Sequence, residues 1–242
     1  MKLLLLSNST NVGEEYLGFS KKEVQRFLGN KKLNIVFIPY AAVTFSYDEY
    51  EEKVNKAWCE IGHKVKSIHR FPSPEKAVYE ADALVIGGGN TWKLVKTVQD
   101  KNLMEVIRER VRSGIPYIGW SAGANIACPT LKTTNDMPIA EPKEFTTLNL
   151  VPFQINPHYL DVSPLNHGGE TREQRIEEFI TENKDTFVVG LREGTLLHYE
   201  NGILKLIGER PARIFKYGEK PRELTSSDKF DLLISKPHTP LT

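Results

Sequence analysis

The sequence predicts an α/β protein with a mostly parallel sheet and helices on both of its faces. Three observations lead there. Short, wholly apolar runs recur, among them Leu3-Leu4-Leu5-Leu6, Ile35-Val36-Phe37-Ile38 and Ala83-Leu84-Val85-Ile86. Such runs mark strands covered on both sides, whereas strands with one wet face alternate. Segments of helical periodicity separate them, in the order β-α-β-α-β-α-β-α-β, which demands right-handed crossovers. Glycine and small polar residues gather directly after the apolar runs, at the C-terminal strand ends where such sheets bind ligands.

Taken in order, Leu3 to Leu6 is the first strand, and Ser7 to Thr10 is the polar loop at its end. The apolar run is too short for a secretory h-region. Residues 14–28 carry Tyr16, Leu17, Val24, Phe27 and Leu28 at helical spacing, although Gly18 weakens the pattern. Ile35 to Ile38 is the second strand, stopped by Pro39. Residues 48–61 form a helix with Tyr50, Val54, Ala57, Trp58 and Ile61 on one face. Residues 64–69 are a third strand and 74–81 a short helix. Ala83 to Ile86 is a fourth strand, running into Gly87-Gly88-Gly89-Asn90-Thr91 and a helix over 92–98. Residues 103–111 are a helix ended by Gly114.

The next piece is the most informative. Ile115-Pro116-Tyr117-Ile118 leads into Gly119-Trp120-Ser121-Ala122-Gly123. A G-x-S-x-G sequence between a strand and a helix holds its serine on a sharp turn, clear of the backbone. The glycines on either side remove Cβ atoms that would clash where strand and helix approach. The turn also leaves backbone N–H groups at a helix N-terminus to face a developing negative charge. The triple glycine before Asn90 could cradle a phosphate, form a flexible turn or supply the second half of such an oxyanion hole; its spacing matches neither G-x-G-x-x-G nor G-K-[ST], which argues against a nucleotide, and the oxyanion reading is favoured because it alone uses Ser121.

Later segments are less regular. Thr133 to Pro138 is a polar loop. Residues 148–155 read as a strand broken by Pro152, leading into Asn156-Pro157-His158-Tyr159. Thr171-Arg172-Glu173-Gln174 is a capping box opening a helix. Residues 187–191 are a strand, followed by Arg192-Glu193-Gly194. Strands at 196–199, 203–207 and 213–217 form a C-terminal β-hairpin region, with Asn201-Gly202 as the turn. No repeat or linker divides the chain, so one domain over 1–242 is expected.

Composition narrows the class of function. Thirty-two Lys and Arg balance thirty-one Asp and Glu, a net charge of +1, so no global field calls for nucleic acid or an anionic membrane. The two cysteines, Cys59 and Cys128, make neither a disulfide framework nor a metal cluster. A cytoplasmic protein without metal or cofactor, a monomer or homodimer, is the expectation.

Ser121 needs a base. Among six histidines, His158 follows a strand and sits in a turn stiffened by Pro157; His167, in a Gly-rich loop, is the second choice. His63, His69, His198 and His238 read as surface or structural residues. The base needs a carboxylate to fix its tautomer. Asp136 offers the order Ser…Asp…His. Glu193 lies at the end of the next core strand and is slightly favoured on geometry.

The ordered set Leu4–Thr10, Phe37–Tyr40, Gly87–Thr91, Tyr117–Asn125, Thr133–Pro138, Gln154–His158 and Gly169–Arg175 resembles the peptidase E family, the α-aspartyl dipeptidases among serine peptidases. The likeness runs to about Glu193 and fades beyond. It implies a class I glutaminase-like fold with serine in place of cysteine, and hydrolysis of small Asp-Xaa dipeptides through an acyl-enzyme. Ser121 becomes the nucleophile and His158 the base, with the orienting acid read as Asp136 or Glu193. Gly89 and Ala122 are expected to hold the oxyanion. Arg172 is the cation chosen for the aspartyl carboxylate, since a guanidinium grips one bidentately. Asn90 or a nearby carboxylate would take the substrate ammonium. Other readings on the same scaffold are a peptidase of β-aspartyl polymers such as cyanophycin, and an inactive binder of acidic dipeptides. A class I amidotransferase is excluded by Ser121, because that chemistry needs cysteine.

Overall fold

The computed structural model describes residues 1–161 and 168–234. The first-half strands are β1 (Lys2–Leu6), β2 (Ile35–Ile38), β3 (Val65–Ser67), β4 (Ala83–Ile86) and β5 (Pro116–Trp120). The helices between them are α1 (Lys21–Leu28), α2 (Tyr47–Trp58), α3 (Pro74–Tyr79), α4 (Thr91–Asp100) and α5 (Met104–Arg112). The short α6 (Ala122–Asn125) follows β5 directly. β8 (Leu196–Glu200) and β9 (Ile203–Ile207) complete a seven-stranded sheet in the order β3-β2-β4-β5-β1-β8-β9. β1 to β5 are parallel, and β8 runs antiparallel against β1.

The apolar runs do what their composition requires. Alternate residues of each strand enter different cores: Leu3, Leu5, Val36, Ile38, Leu84 and Ile86 on one face, Leu4, Leu6, Ile35, Phe37, Ala83 and Val85 on the other. α3, α4 and α5 cover the first face and α1 and α2 the second. Period-two side chains with both faces dry leave no position for a polar residue.

Two readings of the second half are corrected. Residues 148–153 are not a strand; the strand is β6 (Gln154–Tyr159), with Pro157 inside it. β6 lies at the edge of its sheet, where the missing N–H of proline costs no ladder bond. Secondly, β6 and β7 (Val188–Arg192) do not extend the main sheet. They form a second sheet with β10 (Ala212–Phe215) and β11 (Arg222–Leu224), in the order β11-β10-β7-β6. α7 (Arg172–Glu182) packs on it through Ile176 and Ile180, against Tyr159, Val188 and Phe215. A last helix, α8 (Asp231–Ile234), rests Leu233 on the main core. The Asn201-Gly202 turn is as expected: both residues have positive φ, 53° and 78°, the conformation a two-residue hairpin loop needs.

Candidate active site

The site lies where β5, β1 and the β6–β7 pair end together. Ser121 follows β5 with φ 52° and ψ −111°, outside the regions open to L-residues. Such a backbone costs about 1–3 kcal/mol and persists only where its surroundings enforce it. Two glycines do so by absence. A Cβ on Gly123 would stand 2.1 Å from the Ile86 carbonyl oxygen, and one on Gly119 would stand 2.2 Å from that of Gly123. The Ser121 N–H donates to Leu6 O at 3.0 Å, tying the turn to the end of β1.

His158 arrives from the second sheet. The β6–β7 register slips between Pro157 and Tyr159, and His158 takes φ 53° at that irregularity. A bulge of this kind re-aims a side chain, and here it turns the imidazole toward Ser121. The Ser7 hydroxyl pins the bulge: it accepts from His158 N–H at 2.9 Å and donates to Leu191 O at 2.7 Å. Parallel pairing of β6 with β7 then places Glu193, one residue past β7, beside His158. Asn8 Oδ1 accepts from Gly194 N–H at 2.9 Å and holds that turn.

The three side chains form a linear relay. His158 Nδ1 lies 2.7 Å from Glu193 Oε1, and His158 Nε2 lies 2.9 Å from Ser121 Oγ. An ionised carboxylate only accepts, so Nδ1 carries the proton and Nε2 accepts from the serine hydroxyl. His167 and His238 lie outside the described residues. His63 bonds Gly29 O at 2.9 Å, while His69 bridges Ser67 and Asp48, and neither approaches Ser121.

Asp136 does not reach the imidazole, whose Nδ1 is held by Glu193. It sits instead at the N-terminus of α4. Its Oδ2 accepts from Thr91 N–H at 2.7 Å, Thr91 Oγ at 2.6 Å and Thr134 Oγ at 3.0 Å. Its Oδ1 takes no hydrogen bond among the described residues, and Asp136 lines the same cavity as Ser121 and His158. Asn90 is committed elsewhere. Its Oδ1 caps α4 by accepting from Lys93 N–H at 3.0 Å, and its Nδ2 donates to Met137 O at 2.9 Å. The cap takes one of the two acceptor sites of that oxygen.

Among the described residues neither the Gly89 N–H nor the Ala122 N–H has an acceptor. Gly89 has φ +134°, and a Cβ there would lie 2.3 Å from Ala41 O, so only glycine fits. A buried hydrogen-bond chain links the two halves: Trp120 Nε1 donates to Tyr50 Oη at 3.0 Å, and Tyr50 Oη donates to Gly88 O at 2.9 Å. Burial pushes the Tyr50 hydroxyl up to about 12, which keeps it a neutral donor.

Arg172 opens α7 and lines a cavity of about 200 Å³ with Asn135, Asp136, Asn156 and Arg175. Asp136 is common to this cavity and to the one of about 360 Å³ at Ser121. Arg172 donates to Asn135 Oδ1, and among the described residues no carboxylate pairs with it. Burial and the neighbouring Arg175 draw it below the usual guanidinium range, with Asp136 opposing; it stays charged at neutral pH.

With this geometry in view, the comparisons with known proteins are direct: peptidase family S51 matches residues 3–207. The chain belongs to peptidase family S51. A protein named Peptidase E from Nostoc sp. is 51% identical over 235 residues, 97% of either chain. One of the same name from Salmonella newport is 43% identical over 230 residues, 95% of this chain and 100% of the relative. The likeness therefore continues past Glu193, through the tail where the motifs alone lose it. Two solved structures share the fold: a peptidase from an acI-B1 Actinobacterium and a putative peptidase E protein from Listeria monocytogenes. The first has a TM-score of 0.69 at 17% identity, covering 95% of this chain and 96% of that one. The second has a TM-score of 0.57 at 21% identity, covering 93% and 98%. No described helix of this S51 peptidase is long and apolar enough to cross a membrane.

Ser7, Thr91 and Thr134 support the site and escaped sequence reasoning. Ser7 had a visible signal, a hydroxyl immediately after a buried strand at the ligand-binding end of the sheet. The two threonines had none, since their role depends on where the Asp136 loop folds back.

Proposed function

We propose that this S51 peptidase is a cytoplasmic serine dipeptidase that releases N-terminal aspartate from Asp-Xaa. Ser121 Oγ attacks the peptide carbonyl while His158 Nε2 takes its proton, and Glu193 stabilises the imidazolium. The oxyanion sits between the N–H groups of Gly89 and Ala122, where loss of one donor typically costs about 100- to 1,000-fold in rate. The tetrahedral intermediate collapses as His158 returns the proton to the departing amine, leaving an aspartyl ester on Ser121. Water, deprotonated by His158, then attacks the ester and frees aspartate. Arg172 takes the substrate side-chain carboxylate. The ammonium goes to Asp136 Oδ1 rather than to Asn90, whose oxygen caps α4.

The observation that supports this reading most is a guanidinium without a carboxylate partner beside Asp136, which itself borders the Ser121 cavity. A half-buried cation of that kind is poised for an anion the substrate brings. The test is a cleavage profile over Xaa-Leu dipeptides with varied first residue, alongside β-Asp-Arg, for the wild type and Ser121→Ala. Preference for Asp-Leu, abolished in Ser121→Ala, is expected. Preference for β-Asp-Arg would favour a peptidase of β-aspartyl polymers. Binding of Asp-Leu without cleavage or fluorophosphonate labelling would favour a sensor.

A further inference from the structure

An Asp-Xaa dipeptide carries one ammonium and two carboxylates. Asp136 and Arg172 account for the ammonium and the side-chain carboxylate. The second carboxylate, on the leaving residue, is what separates a dipeptide from a longer peptide, and the reading above gives it no partner.

The wall of the Ser121 cavity supplies one. Tyr16, Phe45, Tyr50 and Trp120 line it together with Lys53, the only lysine or arginine among its described lining residues. Lys53 projects from α2, three residues after Tyr50, whose hydroxyl holds Gly88. Helical spacing thus sets its stem on the same side as the oxyanion loop. Its Nζ stands 4.2 Å from the centroid of the Tyr16 ring, and Tyr16 in turn meets Trp120 edge-on at 6.4 Å. Stacking on an aromatic face restrains a flexible ammonium without neutralising it. Among the described residues Lys53 has no ion-pair partner, so its charge is left for a ligand.

We infer that Lys53 binds the free α-carboxylate of the leaving residue and makes the enzyme selective for dipeptides, with Tyr16 and Phe45 as an apolar rest for that residue's side chain. The inference rests on the dipeptidase reading. It assigns the substrate's three charges to three groups: Asp136, Arg172 and Lys53.

The test compares Asp-Leu with Asp-Leu-amide, which lacks only the terminal charge. For the wild type kcat/KM should favour the acid by about 10-fold, the size expected of one partly solvated charged hydrogen bond. In Lys53→Met that ratio should fall toward one, through a raised KM for the acid, and Lys53→Arg should restore most of it. Melting temperatures of the variants control for folding, since the Lys53 head is exposed. A wild-type ratio near one would overturn the inference. So would equal losses on both substrates in Lys53→Met, which indicate only lost support for Tyr16. A wild type inert toward both substrates would instead remove the dipeptidase reading on which the inference rests.

Discussion

Glu193 and Asp136 differ in what surrounds each carboxylate. Glu193 meets one ring nitrogen at 2.7 Å, while Asp136 spends Oδ2 on three donors and keeps Oδ1 for the cavity. The two should therefore fail differently. Glu193→Gln replaces an acceptor with an amide that can also donate, which lets the wrong tautomer of His158 form. kcat should fall by about 1,000-fold or more with little change in KM. Asp136→Asn removes the charge proposed to face the substrate ammonium and should act chiefly on KM, by about 10-fold. Steady-state kinetics on Asp-Leu separates them, and a larger kcat loss for Asp136→Asn would reverse the assignment. Ser121 and His158 were legible because a glycine-flanked serine and a proline-stiffened histidine show their geometry locally. The choice between the two acids was not, since it depends on which strand lies beside β6.

Elements explain why the site holds its shape. β5 and α6 can meet at Ser121 only because Gly119 and Gly123 carry no side chains. β6 and β7 can deliver His158 and Glu193 together only because their parallel register ends at one level. Ser7 couples these two devices, since it caps β1 and bonds both His158 N–H and Leu191 O. Ser7→Ala leaves those two backbone groups unpaired in a buried setting, which costs about 1–3 kcal/mol. The expected outcome is a lower urea midpoint together with a reduced kcat, because the bulge that aims the imidazole loses its pin. Unchanged kcat with lowered stability would reduce Ser7 to a structural role. The parallel half was readable because each strand is an unbroken apolar run closed by turn residues. β6 was misplaced because Pro157 reads as a strand terminator, and sequence does not show that a strand will lie at an edge.

Across the whole molecule, Glu193 keeps its position only while the second sheet holds together. Arg192, immediately before it and only 7% exposed, ties the parts of that sheet to one another. Its Nε donates to Asp161 at 2.8 Å, and Nη1 and Nη2 donate to Glu223 at 2.7 and 2.9 Å, while Nη1 also donates to Pro211 O at 2.6 Å. Hydrogen bonds from Arg192 hold both Asp161 and Glu223 below the usual carboxylate range. A carboxylate whose folded pKa lies under its unfolded value of about 4 adds stability above that value. The contribution fades as pH falls through the lower, folded pKa. Glu223→Gln should therefore be less stable than wild type at pH 7, by about 1 kcal/mol given how far solvent reaches this pair. The gap should close in acid, once the pH has fallen through the lowered, folded pKa of the wild-type carboxylate. Urea unfolding at pH 7 and in acid measures it, and a gap of equal size at both would mean that packing, not charge, fastens β11 to β7. If charge does the fastening, acid should loosen the Glu193 end of β7 before the core between α1–α2 and α3–α5 gives way, because that core is held by packed apolar side chains. Activity in acid should then fall before near-UV circular dichroism from Trp58 and Trp120, both buried in that core, is lost.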